Sequence, residues 1–441
     1  IIIETDSKSF FKSLSVNGAP DFKKEASADP EFFRYVFTDY DRGVEKDINF
    51  ISHYEVYPMT KFQVIYANNE KVKGALIGSA GEIKSSFTKE ELARKAWEDY
   101  EAVGDSYYYG YSTVQKMIDA IWADMLRKGG KTMSEKEFIK NAYYRLRGIV
   151  VGRDSYLSDK TAAFIFGSLL YQRDIKSELV ITVSRRTGTI ARALFDQEIR
   201  YVVKVNNDYY YNCTDHSNPG DLVEDLLGRE AYIIYKKDKK SDVTIKTITL
   251  PDALYGNNTE IHVINAELGK DMGSLVVSRQ NTFAGISKNR NITDALKFIP
   301  YMLEDYQNYN GMSPTSYLTG SQQVEYFKSE RALKDEFKEA KEKLVKEGLE
   351  KEYRQKVKYK EFDIKSDGRN MAEKELIYTE DFELHGMVRK AGKKYLVNIP
   401  GLVGSQLQIK KEERERKYDI NVGYGRSLNW VINFKIPEGY T

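Results

Sequence analysis

Cys213 and His216, in the run Tyr211-Asn-Cys-Thr-Asp-His, are the first candidates for nucleophilic chemistry in this chain. A thiol becomes reactive when a neighbouring imidazole takes its proton. On a strand, however, positions three apart face opposite sides, so a turn must bring this pair together. A buried cysteine is otherwise a small hydrophobe. Ser155 and Ser158 supply hydroxyls, but Ser158 stands directly before a predicted helix, where it suits an N-cap. His53, His262 and His385 are scattered and lack the HExxH type of ligand spacing, so no metal site and no cofactor is expected. Gly129-Gly-Lys-Thr132 resembles the tail of a phosphate loop. The required upstream glycine is Met125, and the segment reads as a helix stop. Arg185-Arg186 and the basic run Lys236 to Lys240 read as solvated strand-end turns.

The elements that must position these residues change character along the chain. Residues 1–85 alternate apolar and polar residues between turn signals, as in Phe33-Arg-Tyr-Val-Phe and Lys61-Phe-Gln-Val-Ile-Tyr, which predicts antiparallel β structure. Helices follow, with capping boxes at Thr88-Lys-Glu-Glu91, Ser112-Thr-Val-Gln115 and Ser134-Glu-Lys-Glu137, and with Phe87 and Leu92 placed for a hydrophobic staple. Val114, Met117, Ile118, Ile121, Trp122, Met125 and Leu126 form a helical core stripe ended by Gly129-Gly130. A further helix is predicted over 159–172, then strands near 178–185, 197–205, 208–213 and 231–236. From about 257 β runs return, interrupted by helical periodicity over about 293–356. The part from Lys328 to Tyr353 carries one apolar seam, Leu333, Phe337, Ala340 and Leu344, of a helix expected to lie on its own domain. Strands near 394–399 and 428–434 complete a predicted C-terminal β-sandwich.

Composition excludes several classes. The chain has 441 residues, 68 lysines and arginines against 66 aspartates and glutamates, and a single cysteine. The near-balance of charge favours neither nucleic acid nor an acidic membrane surface. One cysteine rules out an internal disulfide framework. A mean hydropathy of −0.57 fits a well-solvated chain, and no run approaches the roughly 18 apolar residues of a membrane span. The start, Ile-Ile-Ile-Glu-Thr-Asp, lacks the n-region and h-region of a signal peptide and is expected to be a boundary or processed end. The 33 tyrosines cluster at Tyr107 to Tyr111 and Tyr209 to Tyr211. Such residues can stack on sugars, but their ordinary role is to fill strand faces and seams.

Four segments carry a resemblance: Leu157-Ser-Asp-Lys-Thr-Ala162, Phe195-Asp-Gln-Glu-Ile, Tyr210-Tyr-Asn-Cys-Thr-Asp215 and Leu226-Leu-Gly-Arg-Glu-Ala-Tyr-Ile-Ile. Together they resemble the bacterial transglutaminase-like superfamily, and the whole chain resembles a three-part architecture, common in Bacteroidetes, in which that core lies between two β-sandwich domains. The C-terminal Lys435-Ile-Pro-Glu-Gly-Tyr is similar to the end of the last sandwich. The resemblance implies an α+β fold with a papain/transglutaminase-like core at 86–250. An N-terminal β-rich, partial β-sandwich domain would occupy 1–85, and a C-terminal β-sandwich with the helical insertion would occupy 251–441. It places the family's cysteine, histidine and aspartate on Leu157, Gln197 and Asn212. Forty residues separate 157 from 197, and fifteen separate 197 from 212.

Leucine cannot attack, glutamine cannot take a proton, and asparagine carries no charge. The expectation is therefore a catalytically inactive protein, exported to the periplasm or cell surface, that binds or scaffolds a protein, peptide or glycan partner. Two alternatives stay open. One is an active amidase- or protease-type hydrolase with Cys213 as relocated nucleophile, and the other is a carbohydrate- or peptide-binding module using the altered cleft.

Overall fold

The N-terminal alternation becomes two small antiparallel sheets. The computed structural model describes residues 1–6, 8–43, 49–66, 87–105, 113–152, 157–211, 216–238, 240–297, 315, 318–405 and 409–440. Strands β1 (Ile2–Asp6), β2 (Ser9–Val16), β3 (Lys23–Glu25) and β4 (Phe32–Val36) are followed by a one-turn helix α1 (His53–Val56) and β5 (Met59–Tyr66). One sheet has the order β1-β4-β3, and the other pairs β2 with β5. An aromatic layer joins them. Phe11 of β2 stacks on Tyr35 of β4 with ring centroids 4.3 Å apart and meets Phe22 edge-on at 4.8 Å. Aromatic pairs of this kind contribute about 0.5–1.5 kcal/mol beyond their buried area.

Four helices come next: α2 (Lys89–Asp105), α3 (Thr113–Arg127), α4 (Glu135–Gly152) and α5 (Asp159–Gln172). Their starts follow from local side-chain caps. Thr88 Oγ1 accepts from the Glu91 N–H while Glu91 Oε2 accepts from the Thr88 N–H, closing the predicted capping box. Ser134 Oγ accepts from the Glu137 N–H in the same way, and Ser112 lies outside the described residues. Helix α3 ends at Gly129, whose φ of +80° only glycine adopts without strain. The Gly130 N–H then bonds to the Met125 carbonyl at 2.8 Å. Of the predicted stripe, Met117, Ile118, Ile121 and Met125 are buried, but Leu126 is exposed and does not belong to the core face.

A five-stranded antiparallel sheet backs these helices. It contains β6 (Glu178–Val183), β7 (Ile199–Val205), β8 (Asp208–Tyr210), β9 (Glu230–Tyr235) and β10 (Thr244–Thr249), in the order β10-β9-β6-β7-β8. Its central strands carry apolar residues on both faces because both faces are covered. Leu179, Ile181, Val183, Tyr201, Val203 and Ile234 turn toward the helices. Val180, Val202, Ala231 and Ile233 turn the other way, into a cluster that includes Ile286 and Tyr424 from the C-terminal third of the chain. The two-residue period assigns each side chain to its layer, and each large aliphatic so buried contributes about 1.5–3 kcal/mol.

The C-terminal part is built on a second five-stranded sheet. Strands β11 (Thr259–Leu268) and β12 (Ser274–Phe283) lead into α6 (Gly285–Leu296) and the long α7 (Gly320–Tyr353). Then come β13 (Val357–Asp367), β14 (Leu376–His385), the hairpin β15 (Val388–Ala391) and β16 (Lys394–Val397), and β17 (Ser427–Lys435). The sheet order is β13-β14-β12-β11-β17, with β17 parallel to β11. One face of this sheet is packed by Leu349 and Tyr353 of α7, by Val388 and Val397 of the β15–β16 hairpin, and by Met387 and Leu402. Helix α7 buries only its C-terminal end, and Leu333, predicted as part of its seam, is exposed. A buried charge network ties that end down. The Arg279 guanidinium donates to Glu380 at 2.7 and 2.9 Å and to Glu352 at 2.6 and 3.0 Å. No described helix is long and apolar enough to cross a membrane.

Candidate functional site

Helix α5 begins just after Leu157, the position on which the resemblance places the family's cysteine. Ser158 is its N-cap, and Ser158 Oγ accepts from the Thr161 N–H at 3.1 Å. That bond commits the hydroxyl to the helix end. Leu157, one residue earlier, is buried and belongs to the main hydrophobic cluster. Asp159 Oδ2 accepts from the Tyr201 N–H at 2.9 Å, which fixes the helix N-terminus against the first part of β7. Burial raises the Asp159 pKa above the usual carboxylate range, while the Tyr201 N–H and Arg200 pull the other way.

Gln197 sits in the short 3-10 turn Asp196–Glu198 that feeds β7. It is exposed, and its carbonyl accepts from Arg200 at 3.1 Å. The acids on either side of it fix the turn. Asp196 pairs with Lys95 of α2 at 3.0 Å. Glu198 accepts from the backbone N–H groups of Leu194 at 2.7 Å and Phe195 at 3.1 Å, and it pairs with Lys61 of β5, both side chains being less than a tenth exposed. Lys61 also donates to the Thr187 carbonyl. Lys12 of β2 lies beside this seam, buried, with Nζ 4.3 Å from the Phe87 ring centre. Burial pushes its ammonium pKa down, with Asp196 opposing. The N-terminal β2–β5 ribbon is thus seated by lysines on the turn that carries Gln197.

Asn212 and Cys213 lie outside the described residues, as do Ser155 and Tyr107 to Tyr111. Tyr210 is buried against Phe166, with ring centroids 5.2 Å apart, while Tyr209 and Tyr211 pack on the cluster behind the sheet. The tyrosines of β8 therefore fill both of its faces. His216 is half-buried beside Arg369, Arg147 and Lys288. Burial first, then those three cations, push its pKa down to about 3. A neutral imidazole in a positive surrounding is a poor acceptor for a thiol proton.

The loop holding His216 is a joint between the core and the C-terminal sheet. Arg147 Nη1 donates to the carbonyls of Ser217 at 2.8 Å and Arg369 at 2.9 Å. Tyr144 Oη donates to Asn218 Oδ1 at 2.9 Å, and Asn218 Nδ2 donates to the Gly368 carbonyl at 2.8 Å. Lys288 pairs with Asp221 at 2.9 Å.

Arg185 is not the solvated strand-end turn that the sequence suggests. Its guanidinium reaches the carbonyls of Gly423 at 2.9 Å and Leu227 at 3.0 Å, so it joins the end of β6 to the segment before β17. Nothing local to residue 185 announces partners so far along the chain. His262 bonds to Asn281 at 2.7 Å and stacks on Trp430. Among the described residues no group of three or more histidine, cysteine, aspartate or glutamate side chains is placed to hold a metal ion.

Neither a protein-family model, nor a curated protein, nor a solved structure matches this chain.

Proposed function

We propose that this chain is a catalytically inactive transglutaminase-like protein that acts by binding or scaffolding at the bacterial cell envelope, exported to the periplasm or cell surface. One observation supports the reading above others. The N-terminus of α5 is fixed by Asp159 against the strand that follows Gln197, and Leu157 precedes that helix as a buried core residue. A helix N-terminus favours a thiolate placed there, but leucine at this position contributes only packing. Ser158, the nearest hydroxyl, serves as a cap. The cell-envelope assignment and the kind of partner follow from the sequence resemblance.

The test is incubation of the protein with glutamine-containing peptides and a primary amine, scored by mass spectrometry for deamidation and crosslinks. No product above the buffer background is expected. Product that disappears in Cys213→Ser, or in Ser158→Ala with the fold intact, would replace this reading with that of a hydrolase using a relocated nucleophile.

A further inference from the structure

A cleft of about 510 Å³ opens where the N-terminal, middle and C-terminal parts of the chain meet. Its charged lining comprises four arginines, Arg185, Arg186, Arg290 and Arg426, against two carboxylates, Glu224 and Asp225. The arginines come from separate elements: the turn after β6, helix α6 and the segment leading into β17. Clefts at the junction of structural units are where ligands are commonly held.

The two carboxylates are already engaged. Arg290 holds Glu224 through Nε and Nη2, the closest approach being 2.8 Å, Arg186 meets Asp225 at 3.2 Å, and Arg426 pairs with Glu260, outside the lining, at 2.9 Å. Arg185 is left with backbone carbonyls, those of Gly423 and Leu227, and no carboxylate pairs with it among the described residues. Arg229 stands beside it, donating to the Gly188 carbonyl, with its Nε buried and without a hydrogen-bond partner among the described residues. Burial, and then the charge of Arg185, lower the Arg229 pKa, with Glu55 opposing.

We propose that this cleft is a binding site for a carboxylate-bearing peptide. Planar guanidiniums present paired N–H donors that match carboxylate oxygens two at a time. Phe50, Tyr54 and Val422 in the same lining offer apolar surface for the peptide's other side chains, which a small inorganic anion would not use. The site is separate from Leu157 and Gln197, so it stands or falls independently of the inactive-enzyme reading.

Fluorescence anisotropy with a fluorescein-labelled glutamate hexapeptide tests it. Wild-type protein should bind the probe, more weakly as salt is raised, and should not bind a lysine hexapeptide. Arg186→Gln and Arg290→Gln should each weaken binding roughly tenfold, whereas Arg389→Gln on the exposed β15 hairpin should leave it unchanged. Circular dichroism melting checks that the variants fold. If they do not, a photo-crosslinkable version of the peptide on wild-type protein should label segments 50–54 and 421–426. No binding, equal effects of all three substitutions, crosslinks elsewhere, or binding of inorganic phosphate without the peptide would each overturn the proposal.

Discussion

Replacing Arg279 with methionine would strand a buried carboxylate, and the size of the effect can be worked out from its contacts. Arg279 and Glu380 are each 6% exposed. The substitution takes from Glu380 its bonds to Arg279 Nε and Nη2 and leaves, among the described residues, the Asn281 Nδ2 donor at 2.7 Å. Glu352 loses its partner too, but its side chain is 31% exposed and can turn to water. Methionine keeps much of the arginine stem, so the cavity contribution is small. The loss is then one uncompensated buried charge, about 3 kcal/mol at the lower end of the range for broken buried pairs. Urea unfolding followed by Trp430 fluorescence reads it, because Trp430 stacks on His262, which bonds to Asn281 in the same network. Trp97→Phe and Trp122→Phe remove the other two tryptophans. With a slope of about 1–3 kcal/mol per molar urea, the midpoint should fall by about 1–3 M. Adding Glu380→Gln to Arg279→Met should recover part of the loss. A fall worth less than about 1 kcal/mol, or no recovery in the double variant, would show that the pair is solvated and that the helix α7 end is held by packing alone.

Acid should loosen the joint around His216. Its folded pKa of about 3 lies below the unfolded value of 6.5, so the unfolded chain takes up a proton near pH 6.5 that the folded state refuses. Stability should therefore fall as pH drops from 7 to 5, by about 2 kcal/mol from this group, and His216→Gln should flatten that dependence in thermal melts. Equal slopes for the two proteins would count against it. Lys61→Met should leave Glu198 buried with only the Leu194 and Phe195 N–H donors, and should release the β2–β5 ribbon to limited proteolysis ahead of the helical core. Simultaneous cleavage of both would contradict that seating.

Helix α5 was legible to the residue because its signals are local: Ser158 caps it, Ala162, Ala163, Ile165, Phe166, Leu169 and Leu170 fill it, and Arg173 follows it. The strands β6, β7 and β9 were legible for the same reason, as apolar runs in a sheet covered on both faces. Helix α6 was read from about 293 but begins at Gly285. Its start is fixed from another loop, by Asn258 Oδ1 accepting from the Ile286 N–H at 2.9 Å. Strand β10 was not anticipated. Thr244-Ile-Lys-Thr-Ile-Thr is a half-exposed edge strand with little apolar contrast. In the C-terminal part, sequence pattern does not say that the end of α7 packs on a sheet face. At the site, Leu157 and Ser158 could be placed from sequence because they flank a capped helix. The role of Arg185 could not, since it depends on carbonyls at 227 and 423 that only the folded chain brings near.

Whether positions 157 and 197 still share the geometry of a nucleophile and its base is tested most directly by restoring the groups. In a Cys213→Ser background, Leu157→Cys with Gln197→His should yield a thiol whose ultraviolet thiolate absorbance titrates at about 7.5 or below. Reverting position 197 to glutamine should move that titration upward. A thiol that titrates near the free-cysteine value of about 8.5 and ignores the residue at 197 would contradict the transglutaminase-like reading of this core.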